Sequence, residues 1–128
     1  MRPRYSDLFE TLMDPDSRRS DQAFDAILFD REQAIPDLVQ LYASADETRL
    51  RFYAIQLLGF TESQKALGTI MEGLEDSEPL VRAEACRACE DLRAREAIPL
   101  LHKRTRDVDR EVRRAAREAL LVLEKGRH

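Results

Sequence analysis

An apolar residue followed by arginine recurs at Leu50-Arg51, Val81-Arg82 and Val112-Arg113, at two intervals of 31 residues. Upstream, Ala34-Ile35-Pro36, Ala66-Leu67-Gly68 and Ala97-Ile98-Pro99 recur at intervals of 32 and 31. A repeat of this period constrains a chain more than any single motif. A unit of roughly thirty residues cannot enclose its own apolar face and must stack it on a neighbouring unit. The expectation is an all-α solenoid of about four helical hairpins, with residues 1–128 as a single repeat domain. Residues 34–62, 66–93 and 97–125 form the clear repeats, and 5–30 a degenerate N-terminal unit.

Each clear unit reads as two helices. In the first helices Ile35, Leu38, Val39 and Tyr42 recur as Leu67, Ile70, Met71 and Leu74, a spacing that gathers four side chains on one helical face. The second helices carry Leu50, Ala54, Leu57 and Leu58, then Val81, Ala85, Ala88 and Cys89, then Val112, Ala116, Ala119 and Leu120. Alanine at such positions lets paired helices approach closely. The turns inside the hairpins, Ser44-Ala45-Asp46-Glu47, Asp76-Ser77-Glu78-Pro79 and Asp107-Val108-Asp109-Arg110, supply oxygen acceptors for the free N–H groups of the next helix. In the degenerate unit, Ser6 is placed to cap a short helix carrying Leu8, Phe9, Leu12 and Met13. Asp14-Pro15-Asp16 resembles the other turns, and Arg19-Ser20 stands where an apolar-Arg pair belongs.

The charge is uneven. The net charge is −4, yet residues 1–30 carry four basic and seven acidic groups, residues 31–96 eight and thirteen, and residues 97–128 nine and five. The last unit is therefore basic and the rest acidic, which disfavours general affinity for nucleic acid. Met1-Arg2-Pro3-Arg4-Tyr5 leads into no signal-like apolar core, and no apolar run is long enough for a membrane span. The expected compartment is the cytoplasm, with Cys86 and Cys89 reduced.

The pattern resembles a HEAT repeat of the short, phycobilisome-lyase-like type. The matching residues are Asp76, Val81, Arg82, Ala85, Ala97, Ile98 and Pro99, then Asp107, Val112, Arg113 and Ala116, and earlier Leu50, Arg51, Ala54, Leu58, Gly59 and Ala66. The resemblance implies a right-handed α-α superhelix whose second helices line the concave side. It also implies a functionally broad family. Most members look like protein-binding scaffolds, a few bind or attach bilins, some relatives excise damaged bases, and a di-iron branch hydroxylates a modified lysine. The His-Glu pairs expected of that last branch are absent from this sequence.

Several positions invite a site reading, each with a structural alternative. Arg51, Arg82 and Arg113 form a ladder whose natural acceptors are the turn acids Asp76 and Asp107, with Asp46 a further candidate. Cys86 and Cys89 form a CxxC in mid-helix, where no helix N-terminus lowers a thiol pKa, so packing is the expected role. His102, at an apolar helical position, has no partners in a metal-ligand motif. Phe52, Tyr53, Gln56 and Phe60 make one flank aromatic where other units are polar or small. Two readings stand for this flank: a concave binding surface, or packing on the N-terminal unit through Phe24 or Phe29. Arg110, Arg113, Arg114 and Arg117 follow helical spacing and give a basic face. His102, Thr105 and Arg117 make the last unit look like an end cap, against which Leu121 and Val122 are unexpectedly apolar.

These features lead to three expectations. The first is a non-catalytic adaptor or scaffold that binds an unidentified protein through Phe52, Tyr53, Gln56, Arg87 and Arg114, without a cofactor or metal. The second is polyanion or nucleic-acid binding at Arg110, Arg113, Arg114 and Arg117. The third is an accessory subunit of a lyase-like or other enzyme. Weak self-association is a further expectation for the partner side.

Overall fold

A computed structural model describes residues 5–125. Among these residues all regular structure is helical, in four hairpins. The first joins α1 (Ser6–Thr11) to α2 (Ser17–Asp30), and the second α3 (Ile35–Ser44) to α4 (Thr48–Phe60). The third joins α5 (Leu67–Gly73) to α6 (Pro79–Leu92), and the fourth α7 (Ile98–Arg104) to α8 (Arg110–Lys125). The cap position of α1 is Tyr5, so Ser6 already lies inside that helix. A 3₁₀ turn precedes each of α3, α5 and α7, at Arg31–Ala34, Gln64–Ala66 and Arg95–Ala97. The chain reverses at or just before these turns through positive-φ backbone at Arg31, the first residue of its turn, and at Glu62 and Arg93.

The hairpins stack as a right-handed α-solenoid. The second helices do most of the stacking, α4 on α6 and α6 on α8, whereas successive first helices scarcely meet. The stack therefore curves with α4, α6 and α8 on its inner side. Small residues make that approach possible. A Cβ added to Gly59 would stand 2.9 Å from the Ala88 Cβ and 3.1 Å from its Cα. Around them Ile55, Leu57, Leu58, Val81, Ala85, Cys86, Cys89, Val112 and Ala116 are wholly buried. Burying each of the larger ones stabilises the fold by roughly 1.5–3 kcal/mol.

One junction differs. The contact between α2 and α4 is slight beside those of α4 with α6 and α6 with α8. The Phe24 ring meets Tyr53 and Phe60 edge-on, with centroids 6.5 and 6.1 Å away. Phe52 in turn lies edge-on to Tyr53 at 5.6 Å.

Candidate functional site

The hairpin turns are held by a repeated device. Arg51 lends Nε and Nη2 to the Asp76 carboxylate at 3.1 and 3.2 Å, and Arg82 lends the same pair to Asp107 at 2.9 and 3.0 Å. Each arginine uses Nη1 on carbonyls of its own turn. Arg51 reaches Ala45 and Asp46, Arg82 reaches Asp76, and Arg113 reaches Asp107 and Val108. The turns at Asp76 and Asp107 are thus clamped from within their own unit and from the unit before. Asp76 also accepts from the Tyr42 hydroxyl at 2.7 Å and the Glu78 N–H at 2.9 Å. Burial alone would raise the Asp76 and Asp107 carboxyls. The donors outweigh it and hold both below the usual carboxylate range.

The same register exposes a missing rung. The turn position of Asp76 and Asp107 is occupied by Asp14 and Ala45 in the first two units, at steps of 31 residues. The arginine position of Arg51, Arg82 and Arg113 is Ser20 in the first. The rung between α2 and α4 therefore lacks both its donor, at Ser20, and its acceptor, at Ala45. Losing one alone would leave an unpaired buried charge, a cost of several kcal/mol. The aromatic contacts of Phe24 occupy that junction instead.

The inner surface holds a cleft of about 380 Å³ lined by Gln56, Phe60, Glu84, Arg87, Glu90, Asp91 and Glu118. Of the five residues proposed for partner contact, Gln56 and Arg87 line it directly. Phe52 and Tyr53 are half-buried against the core, with Tyr53 under Phe24 of the N-terminal unit. Phe29, the other residue considered there, is 87% exposed. Arg87 is engaged already, with Glu84 at 3.4 Å and Glu111 at 3.0 Å. Arg114 is turned to Glu118 of its own helix at 3.1 Å.

The carboxylates of this cleft were missed in the sequence. Glu84 is only 5% exposed, and burial pushes its carboxyl up to about 6 against the opposing charge of Arg87. Burial and then Asp91 and Glu118 raise Glu90, while burial and then Glu62 raise Asp91. Their signal was present: Glu84, Arg87 and Asp91 follow three-four spacing on α6 and align with Tyr53, Gln56 and Phe60. The contrast with those aromatics was legible, but the crowding of like charges was not.

The other candidate residues do not converge. Arg110, Arg114 and Arg117 are exposed and Arg113 is half-buried on its turn, with Glu111 and Glu118 interleaved. A separate basic hollow on α7 is lined by Pro99, His102, Lys103, Arg104, Thr105 and Arg106. His102 lies 3.4 Å from Glu124. Cys86 and Cys89 occupy core positions, and burial pushes both thiols up to about 12, away from nucleophilic reactivity. Among the described residues no helix is long and apolar enough to cross a membrane.

A family model described as HEAT repeats matches residues 28–121. Human deoxyhypusine hydroxylase superposes with a TM-score of 0.75 at 24% identity, over 94% of this chain and 43% of its own. An engineered protein superposes at 0.61 and 20% identity, over 93% of this chain and 62% of its own. The CpcE–CpcF complex of phycocyanin lyase from Nostoc sp. PCC7120 gives 0.56 and 17% identity, over 98% and 66%. The chain thus spans less than two thirds of each of these structures. Among curated proteins none matches. These likenesses also correct one expectation, that the chain is not an enzyme. An enzyme, deoxyhypusine hydroxylase, shares this fold over nearly the whole chain. The exclusion rested on motif spacing along one strand of sequence, and a fold of stacked hairpins gives no ground for it.

Proposed function

This chain belongs to the HEAT repeat family, and we propose that it is a binding module that holds another protein along the inner helices α4, α6 and α8. The observation that carries the reading is the inner cleft. It places Phe60 and Gln56 beside Glu84, Glu90, Asp91 and Glu118, with Arg87 as the one cation of its lining. A half-apolar, acid-rimmed groove favours a partner segment that brings lysine or arginine together with an apolar side chain. Aromatic burial supplies affinity and the carboxylates set orientation. Phe52 and Tyr53 act in this reading by holding the α4 flank against Phe24, so that Phe60 stays at the rim. Arg87 and Arg114 order the carboxylates they pair with. A role as adaptor, or as accessory subunit of a larger enzyme, is in keeping with the fold of the CpcE–CpcF complex, in which two chains assemble.

Affinity capture with wild-type protein and with Glu90→Lys/Asp91→Lys tests this. Asp91 is exposed and Glu90 half-buried at the rim of the cleft, so the fold should persist. A protein retained by the wild type and by Arg106→Ala on the outer side, but lost by the double variant, supports the site. Retention by the double variant at wild-type level overturns it.

A further inference from the structure

The ladder of arginine forks is open at both ends of the stack. Among the described residues, Arg113 donates only through Nη1, to the carbonyls of Asp107 and Val108. Its Nε and Nη2, the atoms that Arg51 and Arg82 place on the next turn's aspartate, meet no carboxylate. At the other end, Asp14 has the turn geometry of the two acceptors. Its Oδ1 takes the Asp16 N–H at 2.8 Å, as Asp76 takes Glu78 and Asp107 takes Asp109, both at 2.9 Å. The cation paired with Asp14, among the described residues, is Arg19 of its own unit, at 3.5 Å. Among the described residues, the last unit thus carries an unfilled donor and the first a matching acceptor.

We propose that copies of this chain associate head to tail, with Arg113 of one closing on Asp14 of the next. The surface is the exposed side of α8 against the exposed side of α2, and it meets the rim of the inner cleft at Glu118. Three further contacts follow when junctions inside the molecule are carried forward in register. Arg87 pairs with Glu111 across the α6–α8 junction; the equivalent positions across the new junction are Glu118 and Arg18, again of opposite charge. Phe24 meets Phe60 across the α2–α4 junction; the equivalents are Arg117 and Phe29, a cation over a ring that is otherwise 87% exposed. Gly59 meets Ala88 across the α4–α6 junction; the equivalents are Leu121, 70% exposed, and Ala26. A leucine there keeps the helices further apart than α4 and α6. Leu28 stands at that same register position in the looser α2–α4 junction, partly buried against the core.

The overall charges agree with the local ones. Residues 1–30 hold four basic and seven acidic groups, and residues 97–128 nine and five. Like ends therefore repel and unlike ends attract. Because the two patches differ, the contact is heterologous and propagates into rings or open chains instead of stopping at a symmetric dimer. It weakens with salt, since the fork and the Glu118–Arg18 pair sit near the surface.

Sedimentation velocity of the full chain at low ionic strength tests this. The weight-average mass should rise above the 14.8 kDa monomer with concentration and fall back when salt is added. Arg113→Glu and Asp14→Arg should each remain monomeric alone, and an equimolar mixture should recover association, because each mutant end meets its complement. Both of those residues also hold a turn, so a second swap leaves the turns intact: Glu118→Arg and Arg18→Glu, each weakened alone and restored when mixed. Wild-type protein that stays monomeric at every concentration overturns the proposal. So does association that the single variants leave unchanged.

Discussion

Removing one half of the Arg82–Asp107 rung should cost far more than removing both. The side chains are 10% and 3% exposed, and the fork is made at 2.9 and 3.0 Å. Arg82 also holds the Asp76 carbonyl at 2.8 Å through Nη1. Arg82→Ser leaves Asp107 as a buried carboxylate whose remaining support is the Asp109 N–H at 2.9 Å and Arg104 at 3.5 Å. The loss expected for breaking a buried pair on one side is about 3–5 kcal/mol. A domain of this size has roughly 5–15 kcal/mol in total, so the variant forfeits about a fifth or more. Asp107→Ala should cost a similar amount, because it strands a guanidinium that cannot deprotonate. The double variant, Arg82→Ser with Asp107→Ala, reproduces the Ser20 and Ala45 pair found naturally one junction away. It should recover roughly 2–3 kcal/mol of the summed single losses. Urea unfolding followed by circular dichroism measures all four members of the cycle, with unchanged m-values as the check that the same cooperative unit is melting. A cost below about 1 kcal/mol for Arg82→Ser, the range of exposed pairs, would refute the reasoning. Strict additivity of the two single changes would refute it as well.

Other perturbations follow from single environments. Glu84 has its carboxyl raised from 4.5 to about 6, so its contribution is fully present below pH 4.5 and is lost as pH rises through 6. That amounts to roughly 2 kcal/mol at about 1.4 kcal/mol per unit. Chemical denaturation at pH 5 and pH 7.5 should show this slope in the wild type and its loss in Glu84→Gln. The depressed carboxyls of Asp76 and Asp107 act in the opposite sense: their contribution is present above the unfolded carboxylate range, and acid titration should show it vanishing below about pH 4. Arg93 caps α6 at φ 54° with its side chain in water, so Arg93→Gly should raise Tm, in line with a gain of up to about 1 kcal/mol. Gly59→Ala should lower Tm despite its better helix propensity. The added methyl would press on Ala88 at 2.9 Å, a clash of roughly 1–3 kcal/mol against a propensity gain of about 1.

The helices were legible because apolar side chains return every three or four residues, and Leu38, Ile70 and Leu101 are indeed wholly buried on successive first helices. Their ends were less so: Leu12 and Met13 fall past α1, and Leu74 past α5, because short helices close on turns that apolar spacing does not encode. The ladder arginines could be read from their interval, and their turn acids from composition. That Ser20 and Ala45 are two halves of one absent rung could not be read so easily. The pairing joins residues 25 apart across neighbouring units, and only the stacking geometry says which unit's turn an arginine meets. The acidity of the inner cleft was hidden for a related reason. Glu84, Glu90 and Asp91 lie on α6, whereas Glu118 lies on α8, and it is the curvature of the stack that brings them to one hollow. Phe52 and Tyr53 stood out by residue type, yet type alone did not decide between an open surface and a seat under Phe24.

The absent rung gives the molecule a hinge. Hydrogen-bonded forks lock α4 to α6 and α6 to α8 in direction as well as distance, whereas the Phe24 contacts that tie α2 to α4 are rings that slide and re-stack at small cost. The α1–α2 hairpin can therefore open as a unit, at a free energy well below that of unfolding the remaining three. Amide hydrogen exchange should separate the two regimes: α2 amides exchanging through this partial opening, sensitive to Phe24→Ala, and α6 amides exchanging only when the whole stack comes apart.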